Sequence, residues 1–487
     1  MSDGIFNRDL LKNTHFLILL IVLFGLFLRL IFFSGMGISD SLAYSRAAHE
    51  INKGQGINPN STLTLSTKLG LIFPTALSYR LFGVNDFSSV IFVLIISTAS
   101  LILIFYFGKL LFNEKVGLFA SFLLSFFPMD IVYATKLNSD TPSAFFMAFG
   151  VYMFLHAEIK GSLKYGLSYL ISGVLIGIGY LIRESALLIA LFFIAYIAYK
   201  RKIKKEYFIV PIGVLIVFIV ESFIFFSLTG DPMYRFVESQ RYLDEAVSGR
   251  YNYFGRLDFP IGLLHYPWLF LTNNLLIYFY ALISISIAYS LFYRKKETYT
   301  MMMWFIPLLM YLSFGSSSLT RYLPFKAVDR YTYILVVPGV LLLAFFLSEK
   351  KAAIKKLVMP VTLAFLLLTS VGSIYIREDR HLLDNLRQLY PFVKAADKTV
   401  FIDDRSLAAI DYISGYKINK NLEKYPDSLS KAEDSYVIIN RNMIRNLKEA
   451  NKNLVFPDEI ENIPKEWKVI KEIGRIEKDK IMVYYAP

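Results

Sequence analysis

The sequence predicts a polytopic α-helical membrane protein with a soluble α/β domain at its C-terminal end. Three observations predict it. Hydrophobic residues make up 55% of the 487-residue chain and gather in long unbroken runs. Lys and Arg clusters occupy alternate gaps between those runs, the bias that orients a chain in a bilayer. From Arg377 the runs stop, and short strand-like and helical stretches replace them.

Composition removes several classes. The chain has no cysteine, which excludes disulfides, thiolate catalysis and cysteine-ligated zinc or iron–sulfur sites. A net charge of +13 resembles a nucleic-acid signature, but the short basic loops account for most of it, and no nucleic-acid partner is expected. Aromatic residues, mostly Phe and Tyr, reach 16%, which suits lipid-facing helices with interfacial belts.

Taken in order, the first run is Phe16–Phe33, longer than a signal-peptide core and therefore a retained anchor. Counting runs of about 17–25 apolar residues as spans gives roughly eleven. The others are Phe87–Phe112, Val116–Phe127, Thr141–His156, Leu167–Ile182, Ala186–Tyr199 and Tyr207–Leu228, then Tyr266–Tyr293, Met301–Phe314, Tyr331–Leu347 and Leu357–Ile376. Arg8 and Lys12, Lys160 and Lys164, Lys200 to Lys205, Arg294 to Lys296, and Lys350 to Lys356 fall in alternate loops. Those loops are expected to be cytoplasmic, with the N-terminus inside a plasma membrane. An odd number of spans then leaves the C-terminal portion outside. The expected domains are a membrane domain over 1–376 and an extracytoplasmic α/β domain over 377–487. In the latter, Thr399–Ile402, Tyr436–Ile439, Trp467–Ile473 and Lys480–Tyr485 read as strands. Asp404 reads as the cap of a helix beginning at Arg405.

The polar residues between the runs supply the candidate site. Asp40 stands just beyond the first run, before an amphipathic pattern with Leu42, Ala43, Ala47 and Ile51 on one side and Ser45, Arg46, His49 and Glu50 on the other. Alone, it reads first as the N-cap of a helix through Ser41-Leu42-Ala43-Tyr44. Asp130, Lys136 and Asp140 share the next outer loop, where Asp140-Thr141-Pro142 also has the pattern of a helix start. Arg183-Glu184-Ser185 separates two short apolar runs without Gly, Pro or Asn, and Glu221 lies inside a run. Ionisable groups at such depth are costly and commonly functional; a mutual Arg183–Glu184 pair, or Glu221 neutralising Arg183 or Arg29, are the structural alternatives. The outer loop Gly315–Arg330 carries Arg321, Lys326 and Arg330, which suit a phosphate group or anionic headgroups. Another outer segment interleaves Arg235, Arg241, Arg250 and Arg256 with Tyr234, Tyr242, Tyr251 and Tyr253; it reads as a solvated loop, a headgroup contact or a sugar-stacking surface.

Four stretches then carry a resemblance. They are Asp40–Gly54 (D-x3-Y-x2-A-A-x2-I-x2-G), Lys68–Asn85 with its LFG-V-N, Pro128–Asp140, and Arg330-Tyr331 followed by Val336-Val337-Pro338. In this order and topology, the chain up to about residue 350 resembles a GT-C membrane glycosyltransferase of the dolichyl-phosphate-mannose–protein mannosyltransferase type, a group that includes the bacterial aminoarabinose transferase. Two departures stand out. The family often has a second acid after the first, where this chain has Ser41, which weakens a metal site in that loop. The Trp-Trp-Asp-Tyr-Gly motif of oligosaccharyltransferases is missing, and Trp268, Trp304 and Trp467 are scattered.

The resemblance implies an inverting hexosyl- or pentosyltransferase at the extracytoplasmic face. It would move a sugar from a polyprenyl- or dolichyl-phosphate donor to a hydroxyl of a protein, lipid or glycan. Asp40 would be the base and Asp140 would orient the acceptor. Lys326, Arg330, Arg321 and Lys68 would hold the donor phosphate, and Tyr44, Arg183, Glu184 and Glu221 would line the cavity. No cofactor is obligatory, a divalent cation is compatible with the resemblance, and the lipid-phosphate sugar is the co-substrate. A lipid-linked glycan transporter explains the basic pockets as well but gives no reason for Asp40 and its helix. A non-catalytic protein built on the same fold remains open.

Overall fold

The structure is a computed structural model that describes residues 13–56, 67–161, 166–247, 261–318, 322–325, 328–349, 355–376, 383–417, 421–429, 433–450, 456–474 and 480–487. Side-chain caps set where its first helices begin. Asn13 accepts from the His15 amide and opens α1 (Thr14–Ile31). Two shorter helices follow, α2 (Asp40–Asn52) and α3 (Leu69–Phe82). Asn85 and Ser88 cap each other's backbone to open α4 (Asp86–Leu111), and Asn113 accepts from the Val116 amide to open α5 (Glu114–Ser125). Each cap satisfies backbone donors that the first turn leaves without partners.

Pro128 then starts α6 (Pro128–Ala134) at 61° to α5. This stretch was expected to be an exposed loop, yet Asp130, Lys136, Asn138 and Asp140 are all buried. Beyond it lie α7 (Asp140–Lys160), α8 (Gly166–Ile182), α9 (Ala190–Lys200) and α10 (Ile209–Thr229). Helices α8 and α10 meet almost backbone to backbone. A Cβ added to Gly173 would lie 2.0 Å from the Val210 carbonyl oxygen and 2.9 Å from Gly213 Cα. Small residues at such a crossing give membrane helices the packing that lipid cannot drive.

Next come α11 (Tyr234–Val247), α12 (His265–Thr272) and α13 (Ile277–Phe292). The apolar run Tyr266–Tyr293 is not one straight span: its two helical parts are bent by 111°. The break falls where Asn273 Oδ1 accepts from the Leu275 amide at 2.9 Å, a local side-chain bond that competes with helix. Helices α14 (Tyr299–Phe314), α15 (Tyr333–Ser348) and α16 (Lys355–Tyr375) complete the bundle. Among the described residues, five helices are long and apolar enough to cross a membrane, or seven when each bent pair is one span. The expected count of about eleven is not reached by this measure, because the expected spans at α8, α9, α14 and α16 are short in their described extent. The chain is an integral, multi-pass membrane protein.

The C-terminal unit starts with α17 (Asp384–Ala395) and builds a five-stranded sheet from β1 (Val400–Ile402), β2 (Leu422–Lys424), β3 (Ser435–Asn440), β4 (Lys468–Ile473) and β5 (Ile481–Ala486). Their order is β2-β1-β3-β5-β4. Strand β1 runs parallel to β2 and β3, while β5 runs antiparallel to β3 and β4. Between β1 and β2 lies α18 (Asp404–Ile413). The sheet buries Val437, Ile439 and Tyr484 in a core of its own. Leu386, Val400 and Ile410 instead join a core that also contains Leu42 and Tyr44 of α2 and Leu71 of α3. The C-terminal unit is therefore packed into the same end of the bundle as the first short helices.

Asp403, rather than Asp404, caps α18 by accepting from the Ser406 amide at 2.9 Å. Burial pushes its carboxyl up to about 6, against the opposing pull of the Ser406 and Arg405 bonds. A carboxyl raised in this way holds its proton more tightly folded than unfolded. Its contribution to stability is full below the ordinary 3.8 and is lost as pH rises through about 6. Asp403→Asn keeps a capping oxygen and removes that loss. It is expected to stabilise the protein at neutral pH by about 1–3 kcal/mol. Apparent melting temperature in detergent, followed from acid to neutral pH, checks this; an unchanged pH dependence would contradict it.

Candidate functional site

Three chain segments converge at one end of the bundle. The first is the turn into α2. Ser39 adopts a left-handed backbone, with φ at 70°, a conformation costing of order 1–3 kcal/mol for a residue with a Cβ. Asp40 is consequently the first residue of α2, and its carboxylate points away from the helix backbone. Ser41 donates to the Leu137 carbonyl at 2.8 Å and is buried. A carboxylate at this position would face that oxygen, which gives a physical reason for Ser41.

The second segment is the turn into α7. The sequence pattern suggested Asp140 as a cap, but Asn138 takes that part, its Oδ1 accepting from the Thr141 amide at 3.0 Å. Asp140 is left to face inward. The third segment leads into α15. Asp329 accepts from Tyr133 of α6 at 2.8 Å and from the Arg330 amide at 2.7 Å, and so fixes where the Arg330 side chain begins.

Arg330 joins the three. Its Nη2 lies 2.6 Å from Asp40 Oδ2, and its Nε lies 3.5 Å from Asp140 Oδ2. The second contact is an ion pair without hydrogen-bond geometry. Arg183 holds the other oxygen of Asp140 at 2.5 Å and stacks on the Tyr331 ring, 4.4 Å from its centre. Ser139 sits between Arg183 at 3.4 Å and the Tyr44 hydroxyl at 3.3 Å. A cavity of about 410 Å³ opens over this group. Its walls include Asp40, Tyr44, Lys68, Asp140, Glu184 and Arg330.

A second charged group flanks the first. Lys68 binds both oxygens of Glu184, and burial pulls its ammonium down to about 8 while Glu184 pulls the other way. Arg235 of α11 reaches into the bundle, donating to Glu184 at 2.8 Å, to Glu221 at 2.5 Å and to the Tyr180 carbonyl at 2.7 Å. Its guanidinium also lies 4.2 Å from the centre of the Tyr180 ring.

The sequence-derived candidates are thus sorted by position. Asp40, Tyr44, Lys68, Asp140, Arg183, Glu184 and Arg330 line one cavity. Glu221 lies behind it, 2% exposed, paired with Arg235 rather than with Arg183 or Arg29. Arg183 and Glu184 pair with different partners, not with each other. Arg321 and Lys326 lie outside the described residues, as do Arg250, Arg256, Tyr251 and Tyr253. Sequence reasoning put Arg235 in a surface loop and passed over Tyr331 and Ser139. A basic residue at the start of an amphipathic helix, beside an unpaired intramembrane Glu221, was the available signal for Arg235. Among the described residues, no group of three His, Cys, Asp or Glu side chains is placed to hold a metal ion. The Arg330 guanidinium contacts both Asp40 and Asp140.

This fold and this site define the class: a polytopic membrane protein of the GT-C glycosyltransferase fold. ArnT from Cupriavidus metallidurans in the apo state matches with a TM-score of 0.61 at 11% identity, covering 96% of this chain and 97% of that one. The structure of ArnT bound to undecaprenyl phosphate matches at 0.58 and 10% identity over the same shares. The Archaeoglobus fulgidus oligosaccharyltransferase tethered to an acceptor peptide containing the NVT sequon matches at 0.57 and 11% identity, covering 91% of this chain and 72% of that one. More particularly, residues 70–226 match the family model of dolichyl-phosphate-mannose-protein mannosyltransferases. That stretch takes in Asp140, Arg183, Glu184 and Glu221 and stops short of Asp40, Lys68 and Arg330. No curated protein matches by sequence.

One buried pair underpins the whole arrangement. Arg29 of α1, fully buried, binds Asp130 of α6, and Ser97 donates to the same carboxylate at 2.9 Å. This pins α6, whose Tyr133 holds Asp329 beside Arg330. Asp130→Asn should cost about 3–5 kcal/mol, because it leaves a buried guanidinium without its charge partner. Replacing both, Arg29→Met with Asp130→Leu, should recover most of that. Melting temperatures of the single and double variants in detergent measure the difference; equal losses would contradict the pairing.

Proposed function

We propose that this protein transfers a single sugar from a polyprenyl-phosphate donor to an acceptor hydroxyl at the extracytoplasmic face of the membrane, with inversion. The observation that carries the reading is the cavity in which Asp40 and Asp140 meet across Arg330. The GT-C fold supports it, and the structures with undecaprenyl phosphate and acceptor peptide illustrate what other proteins of this fold bind. The basic loops support a cytoplasmic N-terminus, which sets the cavity outside.

Among the described lining residues the charges are balanced. Lys68, Arg183 and Arg330 face Asp40, Asp140 and Glu184. A phosphodiester brings one further negative charge, so it binds by exchange: it takes Arg330 and releases Asp40. Asp40 then accepts the acceptor's hydroxyl proton as that oxygen bonds to the anomeric carbon. The bond from that carbon to the phosphate oxygen breaks, and its electron pair leaves with the polyprenyl phosphate. Arg330, with Lys68 nearby, stabilises the charge that builds on the leaving group. Asp140, held by Arg183, orients the acceptor. The base is thus freed only when the donor is seated, which suits a cavity open to water. The acceptor is a hydroxyl of a protein, lipid or glycan.

Asp40→Asn should lower turnover by roughly 10²–10⁴-fold, while donor affinity should rise, because the donor no longer has to displace a carboxylate from Arg330. Arg330→Ala should chiefly weaken donor binding. Purified variants given polyprenyl-phospho-sugars and acceptors, with donor binding measured separately, distinguish the two effects. Wild-type turnover by Asp40→Asn removes Asp40 as the base, and unchanged donor affinity in Arg330→Ala removes the exchange.

A further inference from the structure

The C-terminal unit meets α2 through hydroxyl groups that form one connected chain. Tyr416 donates to Ser45 Oγ at 2.7 Å. Ser45 lies 2.6 Å from the Tyr79 hydroxyl, Tyr79 lies 2.8 Å from Ser89 Oγ, and Ser89 lies 3.0 Å from the Tyr412 hydroxyl. Tyr412 donates to Asp86 Oδ1 at 2.9 Å. Arg387 of α17 grips both Asp86 oxygens at 2.7 and 2.6 Å. The chain thus starts in the C-terminal unit, crosses α2, α3 and α4, and returns to the C-terminal unit.

A carboxylate at one end gives this chain a direction. Asp86 only accepts, so Tyr412 spends its single proton there. Tyr412 must then accept from Ser89, Ser89 from Tyr79, Tyr79 from Ser45 and Ser45 from Tyr416. Each hydroxyl donates once and accepts once, and the bonds polarise one another in the same sense. If Ser89 donated instead to the Asn85 carbonyl at 2.7 Å, its oxygen would face that of Tyr412 with no proton between them. Ser45 and Ser89 are fully buried, and Tyr79 and Tyr412 nearly so, so water cannot repair a broken link. Burial holds the Tyr416 hydroxyl well above its usual range, which keeps it a proton donor.

The joint has further parts. Arg46 pairs with Asp411 at 3.1 Å, and the His49 and Tyr416 rings lie 4.6 Å apart. Gly35, at φ +73°, brings the loop before Asp40 so close to Asp86 that a Cβ there would sit 2.5 Å from Oδ2. Ser45 is five residues from Asp40 on the same short helix.

We propose that Tyr412 and Tyr416 are positioning residues for Asp40, and that the C-terminal unit acts as a clamp fixing the register of α2 over the cavity. The proposal rests on the transferase reading for its catalytic consequence but not for the clamp itself. Breaking the chain in its middle with Tyr79→Phe, or at its first donor with Tyr416→Phe, removes one hydroxyl and little volume.

Two measurements on the full-length protein in nanodiscs test it. Hydrogen exchange of amides 40–52 should quicken on the order of tenfold in both variants while exchange in α7 and α15 stays as in the wild type. Turnover per folded molecule should fall on the order of 10–10²-fold with no rise in the KM for donor, since a misplaced Asp40 slows the step and competes no better for Arg330. Unaltered exchange in 40–52 overturns the clamp. Faster exchange with full turnover overturns the positioning role. If the wild type transfers no sugar from any polyprenyl-phosphate donor, the transferase reading fails, and the exchange measurement still decides the clamp.

Discussion

The guanidinium of Arg330, shared between Asp40 and Asp140, is the contact on which the rest of the site depends. It joins residues 290 apart in sequence and brings the starts of α2 and α7 to the approach of α15. None of these segments arrives by that contact alone. Ser41 ties α2 to the Leu137 carbonyl, Asn138 fixes the first turn of α7, and Tyr133 holds Asp329. Behind them the buried Arg29–Asp130 pair sets the depth of α6. Each anchor uses a buried polar group, and leaving such a group unpaired costs several kcal/mol.

Burial separates the charged groups into two kinds. Arg29 and Arg235 are almost completely enclosed and bind carboxylates that are enclosed too. Exchanging such partners would strand a charge in a dry interior, so these pairs hold structure. Arg330, by contrast, keeps a quarter of its side chain exposed, and Asp40 about a third. A part-buried pair of this kind loses less when it parts than an enclosed one, because solvent reaches both members. Under the proposed transfer a phosphate must enter this cavity, which needs this second kind of pair, since the described lining residues offer no surplus positive charge.

Much of this was legible in the sequence. Apolar runs gave nearly all the membrane helices, because a bilayer permits few alternatives to helix. Asp40, Lys68, Asp140, Arg183, Glu184 and Arg330 stood out because charges beside apolar runs have few innocent explanations. Their pairings were not legible. Whether Arg183 meets Glu184 or Asp140 depends on helix rotations that hydropathy does not encode. Asn273 broke an apparent span through one local side-chain bond, and β2 is three residues long with no apolar alternation. Ser45 fell on the polar side of the α2 pattern and is nonetheless fully buried. That pattern predicts which side avoids lipid, and it could not anticipate a second polar surface covering it from the C-terminal unit.

The two polar systems around α2 answer opposite requirements. An ion pair is weakly directional, so Arg330 can pass from a carboxylate to a phosphate with small movements of a flexible side chain. A chain of hydroxyls is strongly directional: each link fixes the proton of the next, and the whole run ends on one carboxylate. Partner exchange at Asp40 is useful to catalysis only if its backbone stays still while the charge around it changes. A helix of thirteen residues set between the bundle and a soluble domain has no membrane of its own to hold it. The hydroxyl chain supplies that fixity through buried, mutually polarised bonds that carry no net charge into the cavity. The ion pairs of the same joint, Arg46–Asp411 and Arg387–Asp86, are each closed between opposite charges, so they too add no net charge beside Asp40.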